Sequence, residues 1–131
     1  MNTPDIDAFT LEDRRALIDT VTRFARDAVA PHVTTWDAAG EFPRGLYRQA
    51  ADIGLLGLGY PEALGGTPAP WTLRNAVTQT LARVGGSGGV MGSLFSHNIG
   101  LPPVLAHGSA ALQAAVVPAV LRGEHIAALG I

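Results

Sequence analysis

Apolar residues recur at helical spacing along most of this chain, and glycine and proline cut the pattern into segments. Leu17, Ile18, Val21, Phe24, Ala25, Ala28 and Val29 repeat every three or four positions, while Arg14, Arg15, Asp19, Arg23, Arg26 and Asp27 fall mainly on the other side. Thr10 is placed to cap this helix. Glu12 and Asp13 occupy its first turn, where the helix dipole favours negative charge, and Pro31 is expected to end it. Val33 to Trp36 predicts a broken turn before Gly40. Phe42-Pro43 then opens a second helix carrying Leu46, Tyr47, Ala50 and Ile53. Pro43 takes the first position, where its missing N–H costs nothing, and Gly54 closes the helix because it accepts positive φ.

Leu55 to Gly66 holds four glycines and one proline and reads as an ordered loop. Helical spacing returns over Trp71 to Val84, through Leu73, Ala76, Val77, Thr80, Leu81 and Val84. Gly85-Gly86-Ser87-Gly88-Gly89 stops that helix and reads as a flexible interhelical loop. Val90 to Leu101 predicts an apolar helix, with a shorter one after Pro102-Pro103. Ser109 can cap a last helix running to about Leu121, with Pro118 breaking or kinking it. Ile126 to Ile131 reads as the first strand of something further. The pattern predicts an all-α fold, an orthogonal or up-down bundle of about six helices ending in the start of a β-strand. Residues 1–123 form the helical domain, and 124–131 the truncated start of a following β-domain.

Composition sharpens this picture. Charged residues make up 15% of the 131 positions and apolar residues 47%, against about a quarter charged in ordinary domains. A compact Ala- and Leu-rich domain accounts for that, and so does a surface covered by a partner chain or a further domain. The net charge of −2, with nine scattered arginines and no lysine, leaves no nucleic-acid footprint. The absence of cysteine removes disulfide and thiolate chemistry. Met1-Asn2-Thr3-Pro4-Asp5 lacks the basic and apolar regions of a secretory leader. Apolar runs such as Ala114 to Leu121 are too short to span a membrane. A cytoplasmic location is the expectation.

Several constellations invite chemistry. Gly85 to Gly89 fits the G-x-S-x-G pattern of a serine hydrolase, with Glu124 and His125 following in the order that fold uses. A nucleophile elbow needs a preceding strand, however, and here a helix precedes Ser87. Adjacent Glu124 and His125 would also point apart in extended backbone. The same glycines lack the strand-turn-helix setting of a phosphate cradle. His32, His97, His107 and His125 show no ligand spacing; His97-Asn98, within an apolar helix, reads as a hydrogen-bonded core or pocket residue. Trp36-Asp37 and Trp71 are expected to anchor packing. Met91, Leu94, Phe95 and Ile99 form an apolar stripe beside the small residues Gly92 and Ser96. That stripe suits either a core or one wall of an apolar ligand slot.

Read in order, the punctuation resembles the N-terminal helical domain of the acyl-CoA dehydrogenase family. Arg23-Phe24-Ala25 precedes Ala30-Pro31-His32, Trp36-Asp37, Gly40-Glu41-Phe42-Pro43 and Ile53-Gly54-Leu55-Leu56-Gly57. Pro61-Glu62 with Gly65-Gly66, Leu81-Ala82-Arg83, His97-Asn98, Pro103 with Gly108, and Leu121 to Glu124 complete the series. The joint order carries the resemblance, from about Phe9 onward. Gly85 to Gly89 is richer in glycine, and Ala110 to Val117 poorer in charge, than the family pattern.

The resemblance implies a flavoenzyme of fatty-acid metabolism that oxidises an acyl-CoA thioester to its 2,3-enoyl product. A glutamate takes the α-proton and the FAD flavin takes the β-hydride. It implies an acyl-CoA substrate, an electron-transfer acceptor, and a homo-oligomer, tetramer or dimer. FAD and the catalytic glutamate belong to later domains, so the resemblance carries no catalytic and no cofactor-binding residue onto this chain, and the chain alone is expected to be inactive. Met91, Gly92, Phe95, Ser96 and Ile99 are implied as the wall at the far end of the acyl pocket, with bulky Met91 and Phe95 suiting a short or bent tail. Flavin monooxygenases and nitroalkane-oxidising enzymes share the scaffold. A non-enzymatic helical module that docks a partner is the third reading.

Overall fold

The computed structural model describes residues 7–131; the reading of Met1 to Asp5 as free of a leader falls on residues outside that range. Helix α1 (Leu11–Phe24) starts where the sequence places it. Thr10 Oγ1 accepts the Asp13 N–H at 3.1 Å while the Asp13 carboxylate accepts the Thr10 N–H at 2.9 Å. This reciprocal box fills donors that a helix start leaves open. It also holds the Asp13 carboxyl below its usual range.

Pro31 does not end the helical path. The chain widens into a π-turn over Ala25–Val29, tightens into a 3-10 turn over Ala30–His32, and continues as α2 (Val33–Ala39) to Gly40, whose φ is 71°. A proline inside a helix brings no N–H and crowds the carbonyl four residues back. Opening one turn before it and tightening the next absorbs both defects, so the broken turn expected at Val33 is a helix instead.

Helix α3 (Gly45–Asp52) starts two residues past Pro43, which serves as the acceptor of the first turn through the Leu46 N–H at 2.9 Å. Helix α4 (Trp71–Gly85) follows the predicted pattern closely. Val21 of α1 with Ala25 and Val29 of the π-turn that continues it, and Leu73, Val77 and Leu81 on α4, are all nearly inaccessible. Each set is spaced by four, so two ridges of one kind pack together along the α1–α4 contact. Gly85 ends the α4 row beside Val29, and a Cβ there would stand 3.3 Å from the valine side chain.

The glycine run is tighter than a flexible loop. Gly86, at φ 74°, closes α4, and Ser87 at once caps α5 (Gly88–Leu94) by accepting the Val90 N–H at 3.1 Å. The single helix expected over Val90 to Leu101 is divided: α5 stops at Leu94 and α6 (His97–His107) restarts after Phe95-Ser96. Pro102 and Pro103 lie inside α6 rather than ahead of a new helix. Both are exposed, as are Asn98 and Ile99 four residues back, so those carbonyls can turn to water. Helix α7 (Ala110–Leu121) is capped by Ser109 as expected and continues through Pro118.

Two apolar clusters result. The larger joins α1, α3, α4 and α5 with Leu55, Leu56 and Leu58 of the loop; the smaller joins Tyr60, Leu101, Val117, Val120 and Leu121. The all-α bundle therefore stands. Residues 126–131 carry no secondary structure. Trp36 packs between His32 and Phe42, but Trp71 does not anchor the core: it is 61% exposed, with the Arg74 guanidinium over its ring at 3.8 Å. Among the described residues no helix is long and apolar enough to cross a membrane.

Gly123 ties the end of α7 to α3, and its replacement should be the clearest test of that junction. Its φ is 72°, and an added Cβ would stand 2.6 Å from the Tyr47 carbonyl oxygen. Gly123→Ala should therefore cost about 1–3 kcal/mol. Gly92→Ala, inside α5 with nothing within 4 Å of the new carbon, should instead stabilise by about 0.5–1 kcal/mol. Urea melts followed by circular dichroism separate the two, and equal effects would contradict this description of Gly123.

Candidate functional site

The stripe singled out in the sequence forms a ridge where α5 turns into α6. Met91 and Phe95 are one turn apart, joined by the Phe95 N–H to Met91 carbonyl bond at 3.0 Å, and both lean onto the larger apolar cluster. Gly92 faces outward. Ser96 is half-buried and donates its hydroxyl to the Ala127 carbonyl at 2.8 Å. Ile99 is 61% exposed. The five residues thus share one ridge but not one cavity. An open groove of about 560 Å³ lies beside Phe9, Asp13 and Thr67, and a smaller one of about 180 Å³ beside Trp36 and Phe42; none of the five lines either. Any slot at the ridge needs a second wall.

The turn between the helices is thinly bonded along the chain. It relies on short-range contacts, Ser96 N–H to Ser93 carbonyl at 3.2 Å and Asn98 N–H to Phe95 carbonyl at 2.9 Å. Support comes from the loop before α4. The His97 ring, 3% exposed, places Nε2 2.9 Å from the Leu56 carbonyl, which assigns the proton to Nε2. The Tyr60 hydroxyl, also buried, donates to Asn98 Oδ1 at 2.9 Å and lies 3.3 Å from the His97 carbonyl. Burial pushes the Tyr60 phenol up to about 12, with Arg74 opposing. Burial likewise pushes the His97 imidazole below its ordinary value, against the pull of the Leu56 and Leu94 carbonyls. His97 is thus the hydrogen-bonded core histidine that the sequence suggested. Tyr60 was missed, because a tyrosine in a glycine-rich loop shows no periodicity that would mark it as buried.

The remaining candidates are committed elsewhere. Ser87 caps α5 and reaches Asp37 at 3.5 Å. The Glu124 carboxylate pairs with Arg122 at 3.0 Å, and His125 is exposed. Among the described residues no three His, Asp or Glu side chains cluster as metal ligands, and no buried side-chain polar atom lacks a partner. The ridge can offer shape and apolar surface.

Because His97 is held neutral, its contribution to stability has a definite sign. Its folded pKa lies below the ordinary 6.5 of the unfolded chain, so the unfolded state binds more protons below that pH. The contribution is complete above pH 6.5 and is lost as pH falls toward the lower folded value. His97→Gln should flatten the stability profile between about pH 5 and 7. Denaturant midpoints across that range test this, and an unchanged slope in the variant would assign the pH dependence to other groups.

Comparison with known proteins gives one answer. The family profile described as Acyl-CoA dehydrogenase, N-terminal domain, matches residues 11–124. Rice (Oryza sativa subsp. japonica) mitochondrial isovaleryl-CoA dehydrogenase is 31% identical over 113 residues, which is 85% of this chain and 27% of that protein. Crystal structures of a putative acyl-CoA dehydrogenase from Mycobacterium smegmatis and a probable one from Mycobacterium abscessus superpose with TM-scores of 0.82 and 0.80. Their identities are 41% and 40%, covering 90% and 89% of this chain and 31% of each of theirs. The chain therefore spans less than a third of the length of these relatives. By the profile match over 11–124 and the fold it shares with these structures, this chain belongs to the acyl-CoA dehydrogenase family, as its N-terminal domain.

Proposed function

We propose that this domain is the helical part of an FAD-dependent acyl-CoA dehydrogenase, with the α5–α6 ridge forming the wall at the distal end of the acyl pocket. The observation that carries this reading is the ridge itself. Met91, Phe95 and Ile99 present apolar surface around the small residues Gly92 and Ser96, and Ile99 remains 61% exposed. An isolated domain has no use for that surface, and an acyl chain or a covering domain does. Each apolar side chain fully covered there would contribute about 1.5–3 kcal/mol. Ile126 and Leu129 are similarly exposed, at 44% and 57%, which suits a segment covered by another domain or by a second subunit of a homo-oligomer.

In this reading the substrate is an acyl-CoA thioester, dehydrogenated at its 2,3-bond. The bound flavin supplies the hydride acceptor, and electrons then leave to a separate acceptor. The flavin and the catalytic base are held outside these residues. This chain's own part is to bound the tail, exclude water from it, and select its length. Bulky Phe95 and Met91 favour a short or bent tail, and the protein acts in the cytoplasm.

Phe95→Ala in the complete protein should move the kcat/KM preference toward longer acyl chains by about tenfold, since a hydrophobic pocket discriminates by roughly that much per added methylene. Steady-state kinetics over a series of acyl-CoA esters check this, and an unchanged length preference would remove the basis for the wall. The purified 131-residue chain should retain no FAD after gel filtration, and a tight stoichiometric flavin complex would overturn the division of labour.

A further inference from the structure

Resting on the acyl-wall reading, we propose that Tyr60 and His97 form a specificity clamp, through which the loop before α4 sets the position of the tail wall. Neither side chain is placed to touch the tail: they are 4% and 3% exposed. They would act as positioning residues, deciding tail length through Phe95 and Ser96.

Three features carry this. The backbone of the α5–α6 turn has only short-range bonds of its own, so its placement depends on side-chain bonds that cross to other elements. Tyr47 donates to the Ser93 carbonyl at 3.2 Å and Ser96 to the Ala127 carbonyl at 2.8 Å, while the loop about forty residues earlier supplies the two bonds that reach the start of α6: the Leu56 carbonyl on His97 Nε2 at 2.9 Å, and the Tyr60 hydroxyl on Asn98 Oδ1 at 2.9 Å. The rings also form a row. Tyr60 and His97 lie 5.6 Å apart between centroids, and His97 and Phe95 6.2 Å apart, so His97 stands between the clamp and the wall. A shift of the imidazole transfers directly to the Phe95 ring, because packed side chains move against one another rather than into free space.

The anchoring loop is itself stiff. Gly59 N–H meets the Thr67 carbonyl at 2.7 Å and Thr67 N–H meets the Gly57 carbonyl at 2.9 Å. Gly66 lies so close to Tyr60 that a Cβ there would stand 2.5 Å from it. An apolar residue at position 97 would fill the space without the desolvation cost of an imidazole. A histidine bonded through Nε2 to the Leu56 carbonyl adds direction, which packing alone does not supply.

The test uses the complete, flavin-loaded protein. Tyr60→Phe removes only the hydroxyl, His97→Gln keeps an amide N–H able to reach the Leu56 carbonyl, and His97→Leu removes the bond. Tyr60→Phe and His97→Leu should change the long-to-short acyl-CoA ratio of kcat/KM by about three- to tenfold, the worth of one directed hydrogen bond. The change should sit in KM, with kcat on the preferred ester and the flavin content held, and His97→Gln should stay nearer the parent. A lowered Tm with an unchanged ratio in Tyr60→Phe and His97→Leu would show a structural role only and overturn the clamp. The Phe95→Ala variant run alongside separates the two levels. If it shifts the ratio while the Tyr60 and His97 variants do not, the clamp alone fails. If it too leaves the ratio unchanged, the wall reading fails.

Discussion

A loop threaded between two apolar clusters is the constraint on which the rest of this domain depends. Leu55, Leu56 and Leu58 enter the larger cluster and Tyr60 enters the smaller. The backbone between them therefore has to satisfy its polar groups without water. Unpaired amide groups buried there would each cost on the order of a hydrogen bond's desolvation. They are matched instead by the Thr67 strand-like contact and by the turn from Pro61 to Gly66. Close passage of the chain at Gly57 and Gly66 requires the absence of side chains there. The helices supply most of the buried area, but this loop fixes how the two clusters sit against each other.

That arrangement links fold to function. The loop's Leu56 carbonyl and its tyrosine hydroxyl reach the place where the helical path is divided, the turn between α5 and α6. A continuous helix from Val90 to Leu101 would have presented a straight apolar stripe. The division at Phe95-Ser96 instead folds the stripe into a ridge, with Met91, Phe95 and Ser96 half-buried and Gly92 and Ile99 outward. Ser96 is drawn toward Ala127, and Gly100 lets Ala127 approach, a Cβ there standing 3.2 Å from it. The C-terminal segment thus packs against the ridge beside the exposed Ile99.

Local chemistry was highly legible. Thr10, Ser87 and Ser109 each cap a helix; the sequence identified Thr10 and Ser109 and read Ser87 only as part of a glycine-rich loop. Gly40, Gly54, Gly86 and Gly123 all take positive φ at the ends of helices. The order of those marks also carried the family resemblance, because it records where turns must fall. Prolines were the misleading signal. Pro31, Pro102 and Pro103 each read as a break, and in each case the helical path continues. A proline states only that one N–H is missing, and neighbouring turns or solvent can absorb that defect.

By itself the sequence determined the all-α class, most helix starts, the core face of α1 and α4, and the family. These follow from periodicity and capping, which act over a few residues. Only the tertiary structure decided that the Val90–Leu101 stripe is divided, that Trp71 lies outside and Tyr60 inside, and that His97 answers to Leu56. Those outcomes depend on groups about forty positions apart meeting in space, and spacing along a chain carries no record of such meetings.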